Sequence, residues 1–61
     1  MFIKAQTIAQ VVVALNANSD NDYQTQSNRH GDVLIIEYPA DGGESIEWSV
    51  EKEADGYRMH C

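Results

Sequence analysis

The sequence predicts an α+β fold, with one N-terminal helix packed on a three- to four-stranded antiparallel β-meander, in a single small domain spanning residues 1–61. Two observations carry this. A T-x-x-Q capping box opens a stretch with helical spacing, and within residues 45–53 the apolar Ile46, Trp48 and Val50 alternate with polar side chains before an Asp-Gly turn signal.

Phe2, Ile3 and Lys4 suit a short edge strand. Thr7 then stands three residues before Gln10, so its hydroxyl can accept the Gln10 amide while the glutamine reaches back to the Thr7 amide. Ile8, Val11, Val12 and Leu15 follow at i, i+3, i+4 and i+7 and line one helical face, which Val13 widens. Three consecutive valines lower helix propensity through restricted χ1, so 11–13 also has strand character. Residues 16–21 close the helix in mostly polar side chains that favour caps and turns.

Residues 16–32 hold no aliphatic cluster, and an unstructured loop of that length is unusual in so small a domain. Residues 23–27 fit a polar edge strand turning through 28–31 into a strand over 32–38. With Ser27 opposite Asp32, Thr25 faces Leu34, and Tyr23 faces Ile36 on the core side. A short helix opened by Ser19 is the competing assignment.

In 45–53, Ile46, Trp48 and Val50 point one way, and Glu47, Glu51 and Glu53 the other. A two-residue Asp55-Gly56 turn sets Val50 opposite Cys61, Lys52 opposite Met59 and Ala54 opposite Tyr57, with Glu53 facing Arg58 and Glu51 facing His60 outside. For the preceding hairpin, a three-residue Asp41-Gly42-Gly43 loop places Tyr38, Ile36 and Leu34 opposite Ile46, Trp48 and Val50. A two-residue loop would set Ile36 against Glu47. The preferred register therefore leaves Val33, Ile35 and Glu37 on the outer face, beside Glu51, Ser49 and Glu47.

Charge is distributed unevenly. The formal net charge is −6, and residues 1–30 are neutral, so the whole excess belongs to the second half. No motif in the chain names an enzymatic activity. The only cysteine is Cys61, and neither a signal peptide nor a membrane span is evident, which predicts a soluble cytoplasmic protein. At this length the core is marginal, so a bound partner or second copy is a reasonable expectation.

The chemistry-bearing residues point away from catalysis. His30, His60 and Cys61 match no metal-ligand spacing, and neighbours on a strand point to opposite faces, so no metal is expected. Nothing fixes a base beside Cys61. Glu37 and Glu47 lack a pocket to shift their ionisation and read as a solvated pair. Gly42 and Gly43 are turn glycines, without phosphate-loop spacing, and no cofactor is expected. Trp48 and Tyr38 alternate inward, and an acidic sheet repels phosphate, so direct nucleic-acid binding is not expected.

An acidic sheet can instead enter a basic groove built for nucleic acid, with association accelerated by electrostatic steering and weakened by salt. The expected function is a non-enzymatic protein-binding module, an inhibitor or regulator of a basic nucleic-acid-binding protein. Val33 and Ile35 would form its apolar centre, and Glu37, Glu47, Glu51 and Glu53 its charged rim. One or two exposed aliphatics on a strand are also ordinary. In size, acidity and α+β character the chain is similar to small phage-encoded inhibitors such as anti-CRISPR proteins and DNA mimics. That similarity covers general outline only and assigns no residue a role. The alternative is a homodimeric structural or regulatory subunit, joined through the outer face or a strand edge, whose acidity serves solubility.

Overall fold

A computed structural model describes residues 1–61. The class is α+β: β1 (Phe2–Lys4), α1 (Ile8–Ala17), β2 (Asp22–Ser27), β3 (Val33–Tyr38), β4 (Ile46–Glu53) and β5 (Gly56–His60). All five strands join one antiparallel sheet in the order β1-β5-β4-β3-β2, one strand more than the widest meander expected. The meander itself is β2 to β5. β1 adds to the free side of β5, pairing Phe2 with Arg58 and Ile3 with Tyr57, and Met1 extends the ladder through its carbonyl to the Met59 amide at 2.7 Å.

The helix starts where the capping box places it, with both reciprocal bonds present: Thr7 Oγ1 accepts from the Gln10 amide at 3.2 Å and Gln10 Oε1 from the Thr7 amide at 3.3 Å. Because β1 and β2 are the two edges, α1 must cross one face of the sheet between them, and its apolar stripe packs there. Val11 and Leu15 meet Tyr23, Ile35 and Met59, with Ile3, Ile8, Val12, Trp48, Val50 and Tyr57 around them. The opposite face has no covering layer, and the molecule is only 16 Å through its thinnest axis.

Three register expectations are corrected. Pro39 begins a longer β3–β4 connection than expected, in which the Gly42 amide bonds the Pro39 carbonyl at 3.1 Å with Gly42 at φ +81°. Ile35 then pairs with Trp48 and Glu37 with Ile46, one residue away from the expected alignment. A one-residue slip exchanges the faces of a strand. Val33, Ile35 and Glu37 therefore lie on the helix side, and Leu34, Ile36 and Tyr38 on the open side. Residues 23–27 are strand as expected, extended by Asp22, but Tyr23 faces Glu37 and Thr25 faces Ile35.

The β4–β5 turn is Ala54-Asp55 instead of Asp55-Gly56, which sets Val50 opposite Met59, Lys52 opposite Tyr57 and Glu51 opposite Arg58. This slip is of two residues, so the inner faces of β4 and β5 are as expected. Gly56 is a strand glycine for a different reason. A Cβ there would stand 2.6 Å from the Phe2 ring and 3.0 Å from the Lys4 Cα, so only glycine lets β1 approach β5 this closely.

Candidate functional site

Register alone decides where each charge falls. Asp22 opens β2, Glu37 stands next to last in β3, and Glu47 is second in β4, so all three lie at one end of the sheet. The α1–β2 connection carrying Asp20 and the β3–β4 connection carrying Asp41 and Glu44 meet at that same end, where Asn21 Oδ1 accepts from the Ala40 amide at 2.9 Å. At the other end lie the Arg29 turn, Lys4 opposite Gly56, Lys52 opposite Tyr57 and Arg58 opposite Glu51. The four basic side chains there are matched by Asp32, Glu51, Glu53 and Asp55, while the six remaining carboxylates share their end with no base. The formal charge of −6 is therefore the charge of one pole of the molecule.

The balanced end is tied by local pairs. Arg58 grips Glu53 through Nε at 2.7 Å and Nη2 at 3.3 Å, which holds the Glu53 carboxyl below its ordinary range and raises Arg58. Arg58 also lies over the Phe2 ring, 5.3 Å from its centre, and Lys52 lies 5.0 Å over Tyr57.

At the acidic pole, one carboxylate is buried and five are exposed. Glu37 is 8% exposed, and both its oxygens are bonded: Oε2 accepts from Asn21 Nδ2 at 2.6 Å and Tyr23 Oη at 2.9 Å, and Oε1 from Trp48 Nε1 at 2.9 Å. The Asn21 bond, with those from Trp48 and Tyr23, outweighs burial and pulls the Glu37 carboxyl below its usual range. Burial, with the bond to Glu37, pushes the Tyr23 hydroxyl up. Neutral donors on every side lock Glu37 as an anion, the opposite of what a proton-transferring acid requires. Its role is architectural: with Asn21 it links the two loops that display Asp20, Asp41 and Glu44.

The six expected partner-contacting residues thus divide. Glu47, Glu51 and Glu53 lie on the uncovered face. Val33, Ile35 and Glu37 do not; Ile35 is 0% exposed beneath the helix, and no apolar centre exists where these residues were expected to supply one. Its open-side counterpart Ile36 is only 7% exposed, between Gln24 and Glu47 on the neighbouring strands. Tyr38, 43% exposed at the acidic pole, is the large apolar group this face presents there. Asp20, Asp22, Asp41 and Glu44, with Asn21 and Tyr38, are the residues that strand-by-strand reading missed. One signal was present: an inward Trp48 needs an acceptor for its indole N–H, and only the slipped register supplies one, in Glu37.

No set of three or more metal-ligating side chains converges, Cys61 is an exposed free thiol, and no helix is long and apolar enough to cross a membrane. The largest hollow, about 510 Å³ between β1 and the C-terminal half of α1, is lined by Met1, Ile3, Ala14, Leu15 and Tyr23 and has Lys4 as its only charged side chain. No family model, curated protein or solved structure matches the chain.

Proposed function

We propose that this protein is a non-enzymatic, cytoplasmic binding module that inhibits or regulates a basic nucleic-acid-binding protein by seating its acidic pole in the partner's phosphate-binding groove. The observation that carries the reading is the segregation of charge: six carboxylates at one end, without a base among them, on a chain whose other end is neutral. Such a dipolar molecule is steered into a positive groove end-on, and its affinity falls steeply with salt. Asp20, Asp22, Asp41, Glu44 and Glu47 supply the exposed charge, and Tyr38 the apolar contact. Glu51 and Glu53 belong to the compensated end, so their part in the contact is secondary.

The test is capture of partners from the native cell on tagged protein, comparing wild type with D22N/E44Q/E47Q at low and high salt. A nucleic-acid-binding protein retained by wild type at low salt, released at high salt and absent from the variant is the expected result. Identical captures by the two proteins would overturn the reading.

A further inference from the structure

We propose that the β2 edge is a self-association surface, on which a second copy of this chain adds its own β2 antiparallel to form a ten-stranded sheet. The inference rests on the unpaired backbone of β2 and does not require the acidic-pole reading. β2 is the longer of the two sheet edges, six residues against three in β1, and contains no lysine, proline or bulge of the kind that protects edges. Antiparallel alternation decides which of its backbone groups are free. The Asn28 amide bonds the Asp32 carbonyl, so even-numbered β2 residues bond β3, and the amides and carbonyls of Tyr23, Thr25 and Ser27 point outward.

Tyr23 is already satisfied, by an amide from the helix acting as a strand: its N–H donates to Asn16 Oδ1 at 2.8 Å and its carbonyl accepts from Asn16 Nδ2 at 3.2 Å. Thr25 and Ser27 have no such cover. A two-fold arrangement that set Thr25 opposite Thr25 would press Ser27 of the second copy against the Tyr23 position that Asn16 occupies. Setting Thr25 opposite Ser27 of the second copy avoids it, forms a reciprocal pair of bonded sites, and places Gln26 opposite Gln26 on the axis.

Two further features select a second copy as the occupant. Asn16 fixes which flank of α1 borders this edge, and Ala9, Val12 and Val13 share its stripe at i, i+3, i+4 and i+7. Val13 is 68% exposed, the most exposed of the large apolar side chains, and the helix bears no charge. In a molecule of net charge −6, the helix flank and residues 23–27 form a neutral strip along which two copies meet without repulsion. The same register sets the Arg29 turn of each copy beside Asp20 and Asp22 of the other, so the charges at the ends of the strip are complementary.

Sedimentation equilibrium of the intact chain tests the proposal. The contact comprises one strand edge and one helix flank, so a dimer dissociating at about 10–100 µM is expected. Thr25→Pro removes an amide that the monomer leaves unbonded, and Val13→Lys puts charge on the stripe. Each is expected to raise the dissociation constant at least about ten-fold while leaving circular dichroism unchanged. D41N/E44Q/E47Q, which removes three carboxylates of the acidic pole that lie outside β2, is expected to change dimerisation by no more than about three-fold, which separates failure here from failure of the acidic-pole reading. A wild-type chain monomeric at about 1 mM, or a dimer indifferent to both edge variants, would overturn the proposal.

Discussion

Glu37 is the residue on which the molecule's polarity turns. Its carboxylate receives three donors from Asn21, Tyr23 and Trp48, so it is held ionised although nearly buried. Glu37→Gln puts a donor among donors and leaves at least one unpaired, a loss expected at about 1–3 kcal/mol by denaturant unfolding. The sign of the pH dependence follows from the lowered ionisation. The stabilisation is complete above the unfolded glutamate value of about 4.3 and is lost as pH falls through the native value, so wild type should weaken in acid. The glutamine variant should lose this part of the acid dependence. Gly56 is the second critical residue. In Gly56→Ala the new methyl meets the Phe2 ring, and we expect about 1–3 kcal/mol of destabilisation, with the β1–β5 amides losing hydrogen-exchange protection first.

At the scale of elements, each strand was legible to the extent that its two faces differ in chemistry. β4 alternates apolar with acidic, and its faces follow directly from sequence. In β3, Val33 and Ile35 compete with Leu34, Ile36 and Tyr38, so hydrophobicity offers two parities and the outcome rests on partners remote in sequence. The helix buries Ile35, and the indole of Trp48 with Asn21 and Tyr23 selects Glu37. The β4–β5 slip had no such ambiguity of face; it arose because Gly56 serves the β1 approach and not the turn. These assignments make Ile35→Asp diagnostic. A carboxylate under the helix is expected to cost on the order of 3–5 kcal/mol, enough to unfold so small a domain, with collapse of the circular dichroism signal. An Ile35→Asp protein that stays folded would return β3 to the opposite parity.

At the scale of the whole molecule, the sequence shows acidity concentrated in residues 31–61, but chain halves are not molecular halves. Antiparallel pairing carries Asp20 and Asp22 from the neutral first half to the same end as Asp41, Glu44 and Glu47, and carries Lys4 and Arg29 to the other. The resulting dipole depends on four strand registers at once, which is why composition and alternation could suggest an acidic face but not an acidic pole. The central claim is that position, rather than net charge, makes this surface bind. Its most direct measurement is the affinity of the captured basic partner for two double variants of identical net charge, Asp20→Lys with Glu44→Lys and Asp32→Lys with Asp55→Lys. Loss of at least about a hundred-fold for the first pair, against less than about five-fold for the second, is predicted. Equal losses from both pairs would contradict it.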